Sequence, residues 1–167
     1  MSDRRSAIMD VAERLIRAHG YNGFSFREIA DEIGIKSASV HYHFPTKADL
    51  AAAVAKRYRE RFEDALKKAE SKGAGKIEAW RDLFQKALNQ DGLMCLCGIL
   101  AAEGDSLPPE VAKEAHAFLK FGIESLNQAA PGRGLAILSQ LEGAMLIARS
   151  AENASVFQDA TKELVSL

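Results

Sequence analysis

An all-α chain is expected on three grounds. No run alternates apolar and polar residues with the period of two that marks a half-buried strand. Apolar residues instead recur three and four apart, which places them on one face of a helix. Glycine and proline number only 12 and 4 among 167 residues, too few for an all-β chain crowded with turns. About nine helices of ordinary length account for the whole chain.

The first helix carries Ile8, Val11, Ala12, Leu15 and Ile16 on one face, and Gly20 is expected to cap it in the left-handed conformation. Tyr21-Asn22-Gly23 makes a turn. Ser25-Phe26-Arg27-Glu28 has the form of a capping box. A short second helix then buries Phe26, Ile29, Ala30 and Ile33 and ends at Gly34. Ser37 is the expected N-cap of a short third helix with Val40 and Phe44 inside, which Pro45 stops. Thr46-Lys47-Ala48-Asp49 is a second capping box. A long fourth helix follows to about Lys72, with Leu50, Val54, Tyr58, Phe62 and Leu66 on one face and a row of Lys and Arg on the other. Gly73-Ala74-Gly75 breaks it. The fifth helix carries Ile77, Trp80, Leu83, Phe84, Ala87 and Leu88 and gives way to a loop at residues 89–92. The sixth spans about 93–103, the seventh opens on Pro108-Pro109 and runs to about Ala130, the eighth covers roughly 133–150 and the ninth roughly 154–165.

Composition excludes several classes. Two cysteines make neither a disulfide scaffold nor a four-cysteine zinc module. The charged start lacks the apolar core of a signal peptide. The apolar stretches at 92–102 and 135–148 are far short of the ~20 residues of a membrane span, so no membrane association is expected and the cytoplasm is the expected compartment. No convergent acid–base pair, metal-ligand cluster or glycine-rich phosphate loop stands out, so no enzyme, cofactor or metal is expected. The formal net charge is −1, which rules out a uniformly basic polymer binder. It is unevenly placed: residues 1–62 hold 11 Lys/Arg against 8 Asp/Glu, and residues 63–167 hold 11 against 15. An N-terminal part that tolerates a polyanion and a C-terminal part that does not are the consequence.

The second and third helices, joined through Gly34, form a helix-turn-helix. The exposed face of the third helix holds Ser37, Ala38, Ser39, His41, Tyr42 and His43. Small residues at its N-terminal end let the backbone approach bases or phosphates, and the hydroxyls and imidazoles supply hydrogen bonds. Lys47 stands in the first turn of the fourth helix, where the dipole mildly disfavours a cation; a phosphate partner accounts for it.

The run Gly20-Tyr21-Asn22-Gly23-Phe24-Ser25-Phe26-Arg27-Glu28-Ile29-Ala30, then Gly34-Ile35, then His41-Tyr42-His43-Phe44-Pro45-Thr46-Lys47 strongly resembles the DNA-binding domain of the TetR family of bacterial transcriptional regulators. The likeness covers about residues 4–50. It implies a homodimeric repressor with a three-helix DNA-binding domain over residues 1–47 and a helical ligand-binding and dimerisation domain over 48–167. The partners implied are a palindromic double-stranded DNA operator and a small-molecule effector that releases it. Two reading helices of the dimer would stand about 34–36 Å apart. By position, Ser37, Ser39, His41, Tyr42, His43 and Lys47 correspond to base or phosphate contacts of the family. The family usually has Ser or Thr where Lys36 stands and Tyr or Phe where His41 stands; Lys36 is read as an added phosphate contact. Phe24, Ile29, Ile33, Val40 and Phe44 are read as core.

The candidate effector wall is Trp80, Phe84, Cys95, Phe118, Phe121 and Met145, a mostly apolar set suited to a small hydrophobic ligand. His116 is expected to be exposed or in a structural hydrogen bond. The eighth and ninth helices carry Leu135, Ile137, Leu138, Leu141, Met145, Leu146, Ile147, Val156, Phe157 and Leu164. That is more apolar surface than one chain covers, so a two-fold four-helix interface through these helices is expected, with Gly143 and Ala144 permitting close approach. Cys95 and Cys97, two apart on the sixth helix, are expected on different sides of it. One TetR subgroup that this segment resembles includes members with a reactive cysteine near its start, so an electrophile- or oxidant-sensing repressor acting through Cys95 is the alternative reading.

Overall fold

A computed structural model describes residues 2–166. Nine α-helices and no strand occur among the described residues: α1 Ser2–His19, α2 Phe26–Ile33, α3 Ser37–His43, α4 Lys47–Ser71, α5 Lys76–Asp91, α6 Leu96–Ala102, α7 Pro109–Ala129, α8 Gly134–Ser150 and α9 Ser155–Thr161. Single 3₁₀ turns lie at Tyr21–Gly23 and Gly104–Ser106, and a longer one at Lys162–Ser166. The chain forms two compact units. One runs up to Tyr58 and includes Leu96–His116; the other comprises Arg59–Cys95 and the chain from Ala117 onward. Thus α6 and the first two turns of α7 belong with the N-terminal helices.

In the first unit, Ile8, Ala12 and Ile16 of α1, Ile29 of α2, Val40 of α3 and Leu50 of α4 are fully buried, with Phe24 and Phe44 beside them. Ile33 is only half-buried. Each fully buried Ile, Val, Leu or Phe side chain contributes about 1.5–3 kcal/mol by leaving water. The exposed Arg14–Glu32 pair between α1 and α2 contributes at most ~1 kcal/mol, so apolar contact decides the packing. Arg57 of α4 reaches Asp10 at 2.8 Å and Glu13 at 3.2 Å and fixes how α4 meets α1.

The second unit buries Trp80 and Phe84 of α5, Phe118 of α7, Ile137, Leu138 and Leu141 of α8, and Phe157 of α9. Arg81 donates to the Thr161 hydroxyl at 3.0 Å, and Gln140 donates to the Ala160 carbonyl at 2.7 Å. The α7–α8 corner requires Gly134. Its amide donates to Asn127 Oδ1 at 2.8 Å, and a Cβ there would collide with the Ile123 carbonyl.

Several expected boundaries move, each for a local reason. α5 continues through residues 89–91, read above as loop; Gln85 donates to Asn89 along the helix at 2.9 Å, and Gly92 at φ 68° ends it. α6 begins at Leu96 rather than 93. The Leu93 amide is taken by Asp91 Oδ1 at 3.0 Å and the Cys95 amide by the Met145 sulfur at 3.0 Å, which holds residues 92–95 outside any helix. Cys95 therefore precedes α6, and the helical rotation expected to separate it from Cys97 does not apply. Ser37 is the first helical residue of α3; the N-cap position is Lys36, with no side-chain cap bond. Gly20 ends α1 with φ 79° and ψ −176°, an extended glycine conformation rather than the left-handed helical one. α9 stops at Thr161, short of the expected 165.

Candidate functional site

The helix-turn-helix is built from local bonds. Ser25 Oγ accepts from the Glu28 amide at 3.2 Å and donates to the Glu28 carboxylate at 2.8 Å. Gly34 adopts φ 70° and ψ 37°, so the chain reverses there, and the Ile35 amide closes back on the Ala30 carbonyl at 2.9 Å. Thr46 and Asp49 exchange bonds in the second capping box, each amide at 3.0 Å from the other's side chain. These bonds fix both ends of α2 and the start of α4, and so bracket α3.

A solvent-open groove of about 560 Å³ runs along α3, lined by Asp3 and Arg4 of α1 and by Lys36, Ala38, Ser39, Tyr42 and His43. Lys36, Ser39 and His43 follow each other at three and four residues, one face of a helix. Tyr42 is 72% exposed. Four of the seven sequence-predicted DNA contacts, Lys36, Ser39, Tyr42 and His43, therefore meet at this groove. Ser37, half-buried, is not among the lining residues. His41 is exposed but turned to α2: its ring meets Phe26 edge-on at 4.6 Å, with Nδ1 3.5 Å from the Pro45 carbonyl. Arg4 was not among the predicted contacts; the Arg4-Arg5 pair at the head of α1 was its only signal.

Lys47 lies apart from the groove. Its ammonium stands 4.8 Å from the Tyr21 ring centre and 4.4 Å from that of Phe24. Burial holds its pKa below the ordinary lysine value, partly offset by the Glu103 and Glu28 carboxylates. Glu103, just after α6, is the organising group of this corner. Its carboxylate accepts from the Tyr21 amide and, at 3.4 Å, from the Asn22 side chain. It also lies where a Cβ on Gly20 would be. Burial, followed by Glu110 and Glu103, raises the Tyr21 pKa. No local pattern marks Glu103, because its partners are 82 and 81 residues away.

In the second unit, Trp80, Phe84, Phe118 and Phe121 come together. Trp80 lies 6.2, 6.0 and 5.6 Å from the other three rings and donates to Ser125 Oγ at 3.0 Å. Phe62, absent from the predicted wall, joins three of them at 4.8–5.8 Å. A cleft of about 210 Å³, lined by Leu66, Phe121, Ser125 and charged residues of α4, α5 and α7, opens beside this cluster. Cys95 and Met145 form a separate contact, the Cys95 amide on the Met145 sulfur. Beside Cys95 lies the Glu142 carboxylate, whose two oxygens are sealed from water with no hydrogen bond of ordinary geometry. Burial pushes its pKa up to about 7, moderated by the Cys95 thiol. Nothing in the sequence beyond one charge in an apolar run marked Glu142. His116 is exposed. No group of three or more His, Cys, Asp or Glu able to hold a metal occurs among the described residues. No helix among them is long and apolar enough to cross a membrane.

Known proteins match this arrangement. Residues 8–54 fit the family described as bacterial regulatory proteins, tetR family. The crystal structure of a TetR transcriptional regulator from Legionella pneumophila superposes with a TM-score of 0.84 at 31% identity, over 95% of this chain and 93% of that one. The HTH-type transcriptional regulator LmrA of Bacillus subtilis is 28% identical over 92% of this chain and 90% of its own length. The HTH-type transcriptional repressor AcnR of Corynebacterium diphtheriae is 31% identical over 56% of this chain, a match spanning only 46% of that repressor.

Proposed function

The chain belongs to the TetR family of bacterial regulatory proteins, and from that premise we propose that it is a homodimeric repressor released from a palindromic operator by a small, mostly apolar effector. That it is a DNA-binding transcription regulator and not an enzyme follows from the family. The observation that carries the reading of DNA is the groove along α3, where Arg4, Lys36, Ser39, Tyr42 and His43 share one open surface. The cations hold phosphates, while Ser39, Tyr42 and His43 are of the size and polarity to reach base edges. Residues 1–47 are assigned to DNA reading and 48–167 to effector binding and dimerisation. Lys47 keeps its assignment as a phosphate contact only by leaving the two rings on which it rests; Ser37 and His41 are assigned to phosphates flanking the groove.

Among the described residues, three of the four exposed large apolar side chains are Leu135, Leu146 and Ile147 of α8. With Gly143, beyond which a Cβ meets open space, they form one stripe down the helix. Of the rest of the apolar set, Ile137, Leu138, Leu141, Met145, Phe157 and Leu164 are buried within the chain itself and Val156 is half-buried. The stripe supports pairing through α8 and α9 with a second copy. Trp80, Phe84, Phe118, Phe121, Cys95 and Met145 are assigned to the effector site. An effector must favour the DNA-incompetent arrangement over the competent one; α6, which follows Cys95 and leads to Glu103, is the segment through which we propose that it acts.

A titration of the gene's own upstream DNA at several salt concentrations tests the reading. Sequence-preferring binding that weakens steeply with salt is expected; salt-insensitive binding, or none, refutes it. The alternative sensor role of Cys95 has less support. Reactive thiols sit exposed and near positive charge, whereas Cys95 is fully buried beside a carboxylate. A Cys95→Ser protein that still responds to an electrophile excludes it.

A further inference from the structure

Glu142 has no role in the reading above, yet its placement calls for a partner. It sits in α8 with Leu138 one turn before it and Met145 one turn after it. Side chains at those spacings share a helix face. Met145 receives the Cys95 amide, and the Cys95 thiol is the weak donor at the carboxylate. Leu138 leads to the aromatic cluster: a Cβ built on Gly122 would lie 3.0 Å from Leu138 Cδ2 and 3.2 Å from Trp80 Cη2, so both border the same spot on α7. The carboxylate is thus carried on the same helix face as Leu138, which borders Gly122 together with Trp80. Both its oxygens are sealed from water and lack a hydrogen bond of ordinary geometry.

A carboxylate in such a place is satisfied by a cation or stays protonated. Among the described residues no cation lies within hydrogen-bonding reach of either oxygen. The chain does supply aromatic faces, which attract organic cations, and residues 63–167 carry four more acidic than basic side chains.

We propose that the effector is an organic monocation, an apolar or aromatic body bearing one ammonium group, and that Glu142 is its counter-ion. This rests on the effector-released repressor of the preceding subsection and specifies its ligand class. The body of the ligand takes the place of part of the aromatic packing around Trp80, and the ammonium donates to Glu142 in place of the thiol.

The test uses 2-phenylethylammonium and its uncharged analogue 2-phenylethanol, with binding followed by the emission of Trp80, the chain's single tryptophan. The full-length protein is expected to bind the ammonium at least tenfold more tightly than the alcohol. Glu142→Gln is expected to erase that preference while leaving alcohol binding unchanged or tighter. Glu142→Asp, which keeps the charge on a shorter arm, is expected to retain a reduced preference and serves if the glutamine variant does not fold. Equal affinities in the unaltered protein, no binding of the ammonium at millimolar concentration, or an undiminished preference in Glu142→Gln overturns the proposal. Operator release measured on the same samples separates it from the reading beneath it. A Glu142-dependent ammonium complex that stays on DNA refutes release by effector but not the site. Release by the ammonium that is as strong in Glu142→Gln as in the unaltered protein refutes the site but not release by effector.

Discussion

The ammonium of Lys47 rests over two rings while that of Lys36 stands at the open groove, so their removal should have different consequences. Lys36→Ala is expected to weaken DNA binding about equally across sequences and to lower the salt slope by about one. Its unfolding midpoint in urea should not move, since an exposed charge away from packing changes stability by no more than about 0.5 kcal/mol. Lys47→Ala removes two cation–π contacts and should cost about 1 kcal/mol in the same urea titration. Gly20→Ala should cost more, roughly 1–3 kcal/mol, because alanine is strained at that positive φ and meets Glu103. The caps at Ser25 and Thr46 were legible in the sequence because both partners lie within three residues. Glu103 and Phe62 were not, because what makes them matter is brought to them by distant parts of the chain.

Helix identities followed from periodicity; helix ends did not always. Leu93, Met94 and Cys95 are as apolar as the helix they precede, so hydrophobicity could not distinguish an extended approach from a first turn. The deciding bonds are the Asp91 carboxylate on Leu93 and the Met145 sulfur on Cys95, and the second of these spans 50 residues. The converse error, a polar loop read at 89–91, arose because Asn and Asp are common in turns although they also extend a helix when paired along it. α8 illustrates a finer ambiguity. Its apolar residues are too many for one face, but only burial sorts Ile137, Leu138 and Leu141, turned inward, from Leu135, Leu146 and Ile147, turned out. Substituting Leu146→Glu and Ile147→Lys together should leave the helical spectrum unchanged and give a monomer by light scattering. Operator affinity should fall with it, since one half-site alone forgoes half the phosphate contacts.

Across the molecule, the uneven charge expected from the sequence has a local counterpart in Glu142. Its pKa in the folded chain is about 7, above that of an exposed carboxylate. The folded state therefore binds the extra proton more tightly than the unfolded one. Unfolding free energy should decline as pH rises from about 4.5 to 7 by up to ~3 kcal/mol, then level off. Other groups add their own dependence, so the contribution is read as the difference between the unaltered protein and Glu142→Gln, which should lack it. The all-helical fold was legible from spacing and caps, and the reading helix from the run of residues that resembles the TetR DNA-binding domain. The proposed effector site was legible only as a list of aromatic residues, because the polar member proposed for it, Glu142, is defined by the absence of water around its oxygens.

The outward stripe of α8 also bears on supply. On the proposed pairing, a surface covered only when two chains meet makes the DNA-reading species a product of concentration. Below the dissociation constant of the pair, halving the amount of chain lowers the paired form about fourfold by mass action. Control of the regulator's own synthesis, even slight, would then reach the operator amplified, with no change in any contact to DNA.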